Sequence, residues 1–157
     1  MQLAGLMLVR DVMTKNPKVV RRDTSVQEVV ATMNKFDISS VIVVQEERPV
    51  GIVTHKDIMS KIVQPRIPPD AVTAREVMSA PIVTISEDAS TEEAAKLMAR
   101  KHIKKLPVVR DDKLVGIITT MDLVRAAPKL AAMMEVLLKA SRSVIFTNAT
   151  KASNNHS

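Results

Sequence analysis

The chain states one pattern twice. Gly51-Ile52-Val53-Thr54-His55-Lys56-Asp57 returns as Gly116-Ile117-Ile118-Thr119-Thr120-Met121-Asp122 at a fixed offset of 65 residues. The same offset pairs Val12-Met13 with Val77-Met78, Asp23 with Asp88, Ser25 with Ser90, Glu28 with Glu93 and Met33 with Met98. It continues through Ile38 with Ile103 and Val43-Val44 with Val108-Val109. Pro17 and Pro81 are 64 apart, so the frame slips by one residue after Met13 and recovers before Asp23. A compensated slip between matched blocks indicates duplicated structure. Two copies of one supersecondary unit, each too small to bury a sufficient core alone, are expected to pack on each other.

Within each copy the periodicity changes in the same order. Thr24 and Ser25 precede the apolar series Val26, Val29, Val30, Met33, with Glu28 three residues after Ser25, which predicts a capping box and a helix of about three turns to near Phe36. Ser90, Glu93 and the series Ala94, Ala95, Leu97, Met98 repeat it, to near Lys101. Val- and Ile-rich runs follow, Val41 to Val44 and Val50 to Thr54, then Leu106 to Val109 and Leu114 to Thr119. Separated by the polar breaks 45–48 and 110–113, they read as buried hairpin strands. A second helix starts near His55 and again near Thr120, with Ile58, Met59 and Ile62 expected to face inward; short extended pieces at Lys18 to Arg22 and Ile82 to Ile85 precede the first helices. The unit is strand, helix, strand, strand, helix, an α/β (α+β) class.

These patterns place one copy at 8–63, a linker at 64–72 stiffened by Pro65, Pro68 and Pro69, and the second copy at 73–127. Pro128 opens a further amphipathic helix over 128–142, with Leu130, Met133, Met134, Leu137 and Leu138 as one stripe, which either packs on its own module or forms an intersubunit or effector surface. The Asn/Ser-rich tail 147–157 is expected to be disordered.

Composition narrows the function classes. With 46% apolar and 25% charged residues the chain reads as soluble and globular. No run of about 18 apolar residues suggests a membrane span. Asp11 falls where a signal peptide would be finishing, so a cytoplasmic location is expected. Cysteine is absent, which excludes disulfides, thiol catalysis and Cys-based zinc sites. Phe36 and Phe146 are the only aromatic residues, too few for the stacking platforms of single-stranded nucleic-acid binders. The net charge of +6 would suit a polyanion, yet the basic residues are scattered, as on a surface tuned for solubility. Met13, Met33, Met59, Met78, Met98 and Met121 read as core filler.

Chemistry concentrates where a buried strand hands over to a helix. Thr54 or Thr119 falls at the helix start, where a hydroxyl and free N–H groups can receive a phosphate or simply cap the helix. Asp57 or Asp122, three residues on, can accept two hydrogen bonds from a vicinal diol, each worth about 1.5–3 kcal/mol when charge-assisted, or can serve as a cap. Recurrence of the Thr/Asp set in both copies favours ligand contact in at least one.

On these residues the chain resembles the CBS domain pair, or Bateman module, over about residues 8 to 127, in the stand-alone form of prokaryotes and archaea. Both copies carry a Met-x-x-x-Pro or Met-x-x-Pro lead-in, a Val-Val strand and the closing Gly-h-h-Thr-x-x-Asp, and the second carries Leu106-Pro107-Val108-Val109. The first departs with Val41-Ile42-Val43-Val44, keeping the strand without the proline. The resemblance implies tandem repeats packed as a pseudo-twofold pair that bind an adenosyl ligand, AMP, ADP, ATP or S-adenosylmethionine, in the cleft between them, with no cofactor required. It implies ribose contact by Asp57 and Asp122 and phosphate or ribose contact by Thr54 and Thr119. Thr14, Asn16, Pro17, Ser79, Ala80 and Pro81 would line the sites, with Ser39 at the start of the second strand. By the same likeness Lys104 and Lys105, aided by His55, Lys56 and His102, are phosphate candidates; the alternative is a solvated helix end where cations offset the helix dipole. Flat dimers typical of the family imply a homodimer.

The expected function is a non-catalytic regulatory module that signals by conformational change to an unidentified effector protein. An enzyme finds little support: there is no Walker-type loop, GxGxxG, GxSxG or HExxH, and His55, His102 and His156 are not spaced as metal ligands. The alternative is an adaptor or nucleic-acid-associated protein acting through its basic surface and C-terminal helix, tuned by nucleotide, although nucleic acid is not the expected partner.

Overall fold

Two hairpins built on the same register organise the molecule. In this computed structural model, which describes residues 7–126 together with 128, 136 and 139, β3 (Ser40–Gln45) pairs antiparallel with β4 (Arg48–Thr54). β6 (Lys105–Arg110) pairs with β7 (Lys113–Thr119) in the same way. Val43 faces Gly51 and Val108 faces Gly116, and each ladder shifts register immediately afterwards, at Val43/Val44 and Val108/Val109. The two-residue turns hold Glu46, Glu47, Asp111 and Asp112 at positive φ, the backbone that matches strand twist in tight hairpins. Glycine would adopt it more readily, so these turns carry little turn signature in the sequence.

The remaining elements are α1 (Val9–Val12), β1 (Thr14–Lys15), β2 (Val19–Arg21), α2 (Val26–Phe36), α3 (His55–Ile58), α4 (Ala74–Val77), β5 (Ile85–Ser86), α5 (Thr91–Lys101) and α6 (Thr120–Ala126). β2 runs parallel to β3, and β5 parallel to β6. The strand-helix-strand-strand-helix unit is therefore present twice. Its first helices have the expected bounds, while the second extended piece lies at Ile85–Ser86 rather than 82–85. Ser90 and Glu93 form the full reciprocal capping box on α5; on α2 the Ser25 hydroxyl accepts from the Glu28 N–H, the first half of that device. Asp37 and His102, both left-handed, close the two helices.

The single-turn helices α1 and α4 have too few residues to show a period, and sequence reasoning missed them. Their positions reveal an exchange: each copy's lead-in packs on the other copy. The α4 backbone joins the first copy through Ala74 N–H to the Thr24 carbonyl at 2.7 Å and Arg75 N–H to the Arg22 carbonyl at 3.1 Å. The α1 backbone joins the second through Val9 N–H to the Ala89 carbonyl at 2.8 Å and Arg10 N–H to the Glu87 carbonyl at 3.1 Å. Every one of these residues has its counterpart 65 positions away. The strands follow suit, for β1 pairs Thr14 with Ile117 of β7, and Ser79 bridges Ile52 of β4. The result is a four-stranded sheet β1-β7-β6-β5 and a three-stranded sheet β2-β3-β4.

The core records the same exchange. Val20, Val26, Val29, Met33, Val41, Val43, Val53 and Ile62 of the first copy are buried together with Ala74 and Val77 of α4. Neither glycine of the repeat has positive φ. What they supply is space: a Cβ on Gly51 would lie 2.8 Å from Met78 Cγ, and one on Gly116 2.5 Å from Met13 Sδ and 2.9 Å from the Thr14 carbonyl oxygen. The repeated Met and the repeated Gly thus interlock across the copies. Met33 and Met98 are core residues as expected, but Met59 and Met121 are exposed (65% and 54%), and Met59 does not join Ile62 inside. After α3 the chain widens into a π-helical turn, Met59–Val63, that rotates Met59 off the inward face.

Charge breaks the symmetry between the copies. Arg22 donates to the Gln45 side chain at 2.8 Å in the first, whereas in the second the counterparts are Glu87 and Arg110, a two-bond ion pair with Glu87 buried. The Arg110 guanidinium holds the Glu87 carboxyl below its ordinary range. Arg10 of α1 adds an ion pair to Asp88 next to it.

The described residues divide into two compact units at Thr120/Met121, and both hairpins with their exchanged lead-ins belong to the first. Of the helix expected over 128–142, Pro128, Val136 and Lys139 are helical and exposed; the rest of it, and the tail 147–157, lie outside the described residues. No described helix is long and apolar enough to cross a membrane.

Candidate functional site

The end of β4 is the place where residues from both copies converge. Thr54 leaves the strand with extended backbone and caps α3: its hydroxyl accepts from the Asp57 N–H at 3.3 Å. Asp57 closes the capping box in return, its Oδ2 accepting from the Thr54 N–H at 2.9 Å and from the Thr54 hydroxyl at 3.1 Å. Its Oδ1 accepts from Lys61 Nζ at 2.9 Å and from the Ser79 hydroxyl at 2.9 Å, the latter on the second copy's lead-in. Asp57 is 6% exposed. Burial pushes its carboxyl up, but Lys61, the Thr54 N–H and the two hydroxyls outweigh that and hold it below its ordinary value of 3.8.

Four donors fill the acceptor capacity of one carboxylate. A diol reaching Asp57 must therefore replace some of them. The Thr54 bonds belong to the helix cap, so the exchangeable donors are Lys61 and Ser79. Lys61 also donates to the Val77 carbonyl at 2.8 Å, tying the π-helical turn to the end of α4.

A second polar group adjoins this corner. The Ser39 carbonyl accepts from the His55 N–H at 3.2 Å, which fixes the start of β3 against the first turn of α3. The Ser39 hydroxyl accepts from Lys105 Nζ, which reaches over from β6 and also donates to the Ser40 hydroxyl at 3.1 Å. Lys105 is partly buried, and loss of hydration pushes its ammonium down from the ordinary 10.5. An ammonium flanked by two hydroxyls offers an anion three donors at once.

The other residues singled out from sequence are distributed around this frame. His55 and Lys56 are exposed in the first turn of α3. Ala80 and Pro81 are exposed beyond Ser79, joined by a cis peptide. On the second copy's side Thr14 occupies the position equivalent to Ser79, Asn16 sits at positive φ and Pro17 follows half-buried. Thr119 ends β7 and Asp122 lies in the first turn of α6. The Lys104 carbonyl accepts from the Thr120 N–H at 3.0 Å, as Ser39 does from His55, while its side chain is exposed. His102 is the exposed left-handed cap of α5. Thr54, Asp57, Ser79, Ser39 and Lys105 are thus brought together. Ser40 and Lys61 were missed; the four-residue step from Asp57 to Lys61 on a helix was the available signal. Among the described residues no cluster of three His, Cys, Asp or Glu could hold a metal ion.

A family model described as the CBS domain matches residues 9–64 and again 74–129. The chain belongs to the CBS-domain family. An uncharacterised protein of Methanopyrus kandleri is 41% identical over 132 residues, covering 83% of this chain, and the chain spans 65% of that relative's length. Among solved structures, the CBS domain pair of protein MJ0100 in complex with 5'-methylthioadenosine and S-adenosyl-L-methionine superposes with a TM-score of 0.69 at 30% identity, over 78% of this chain and 97% of that one. CBSX2 in complex with AMP gives a TM-score of 0.69 at 25% identity, over 80% and 98%. The two strand-helix-strand-strand-helix units are tandem CBS repeats, and relatives of this pair bind small adenosine ligands.

Proposed function

We propose that the CBS pair is a non-catalytic sensor of an adenosine nucleotide, bound at the corner where β4 meets α3. Asp57 takes the ribose hydroxyls, replacing donors it now holds, and Thr54 presents the first turn of α3. Ser79 and its neighbours supply the wall from the second repeat, and Lys105 with Ser39 receives phosphate. The observation that carries this reading is the convergence of Thr54 and Asp57 of one repeat with Ser79 and Lys105 of the other on a single corner. A ligand held by both repeats changes how they sit together, which is the requirement for a signal to an effector protein.

By sequence position Thr119 and Asp122 are the second repeat's equivalents of Thr54 and Asp57, and Thr14, Asn16 and Pro17 those of the Ser79 lead-in. A homodimer in the cytoplasm, with the exposed apolar residues of the second helices as contact, fits the same picture. Calorimetric titration with AMP, ADP, ATP, S-adenosylmethionine and NAD tests the function. Saturable binding of an adenosine nucleotide that Asp57→Ala weakens is expected; no heat and no thermal stabilisation with any of the five would overturn it.

A further inference from the structure

Lys61 is the one charged group already seated on the carboxylate that the sensor reading gives to the ribose, and the proposed role of that carboxylate does not use it. Its ammonium takes Asp57 Oδ1 at 2.9 Å and the Val77 carbonyl at 2.8 Å. The counterpart position 65 residues on is Ala126, so the second repeat has no lysine at this place. The π-helical turn that carries Lys61 is likewise confined to the first repeat among the described residues, where α6 is α-helical from Thr120 to Ala126. π-helical turns recur at functional sites.

We propose that Lys61 is the specificity-determining residue of the Asp57 site, a resident ammonium that a ligand diol displaces and that then pairs with the ligand's own anion. The inference rests on the sensor reading. A neutral nucleoside displaces Lys61 and leaves the ammonium without a carboxylate, so its binding is penalised. A nucleoside 5'-phosphate offers Lys61 a new partner and meets Lys105 on the Ser39 side as well. With Lys61 and Lys105 against the single charge of Asp57, and Lys56 exposed on the first turn of α3, the corner carries an excess of positive charge. S-adenosylmethionine, whose sulfonium is cationic, is the adenosyl ligand this arrangement rejects. The ligand class is therefore an anionic adenosine nucleotide.

The test compares Lys61→Gln, Lys61→Met and the charge-preserving Lys61→Arg by calorimetry with AMP, adenosine and S-adenosylmethionine. All are made in an Asp122→Asn background that isolates the Asp57 site, and folding is checked by thermal melting. In the neutral variants adenosine should bind about tenfold more tightly, the equivalent of removing one charge-assisted competitor, and the preference for AMP over adenosine should fall by a similar factor. Lys61→Arg should keep the preference of the parent. An unchanged or weaker adenosine affinity in a folded neutral variant, or a preserved AMP preference, overturns the role of Lys61 while the sensor reading stands. If neither the parent nor any variant binds AMP or adenosine, both fall together.

Discussion

Replacing Gly51 by alanine probes the exchange of lead-ins directly. In a strand with ordinary φ, Gly→Ala stabilises by about 0.4–1 kcal/mol through the unfolded chain, so the new methyl should help if it had room. It has none, because its carbon would lie 2.8 Å from Met78 Cγ on the opposite repeat's lead-in. Forcing a methyl into a packed interior costs about 1–3 kcal/mol, which outweighs the backbone gain. At about 2–4 °C per kcal/mol for a chain of this size, the melting temperature should drop by several degrees. Met78 is a flexible side chain and can be shortened, so Met78→Ala in the same molecule should recover the loss. A double-mutant cycle by urea unfolding should show about 1–2 kcal/mol of coupling between residues 27 positions apart in sequence. Gly116→Ala should cost more and be rescued less by Met13→Ala, since its methyl also meets the Thr14 carbonyl, which cannot rotate away. A neutral or stabilising Gly51→Ala, or additivity within about 0.5 kcal/mol, would refute the interlock.

Acid should unmask the Asp57 network. A carboxyl held below 3.8 contributes stability that is complete above that value and disappears as pH falls through its folded-state pKa; Glu87 acts in the same direction. Urea midpoints of the wild type and Asp57→Asn should therefore differ at neutral pH and draw together in acid, and a constant gap would count against it. Arg110→Ala leaves the buried Glu87 carboxylate unpaired and should lower the melting temperature, with Glu87→Gln restoring part of it in the double variant. AMP at 100 times its dissociation constant should add about 2.7 kcal/mol to unfolding, with Asp57→Ala abolishing the part due to that site.

How much of this was legible in the sequence depends on the range of the interaction. α2, α5 and the two hairpins were readable because their patterns are local: Ser25 and Ser90 three residues before a glutamate, then apolar runs broken by short polar turns. The Thr54–Asp57 capping box was implicit in a three-residue step. The exchange of α1 and α4 was not readable, since a one-turn helix has no period and nothing in a linear repeat says which copy it packs on. The repeat did hold the relevant residues, for Met13, Gly51, Met78 and Gly116 all recur at the offset, but their pairing is a contact across the pseudo-twofold. Lys105 was singled out by likeness and proves to reach Ser39 and Ser40, whereas Met59 was misassigned because a π-helical turn changes the face that a 3.6-residue period predicts. Lys61 stood in plain view four residues from Asp57 and went unread because the motif closes at the aspartate.

The sensor account is tested most directly by a crystal structure of the full chain grown with AMP. It predicts the ribose hydroxyls on Asp57, the phosphate within hydrogen-bond reach of Lys105, and Lys61 withdrawn from Asp57 Oδ1 towards the nucleotide's anion. A nucleotide bound elsewhere, with Asp57 still holding Thr54, Lys61 and Ser79, would contradict it.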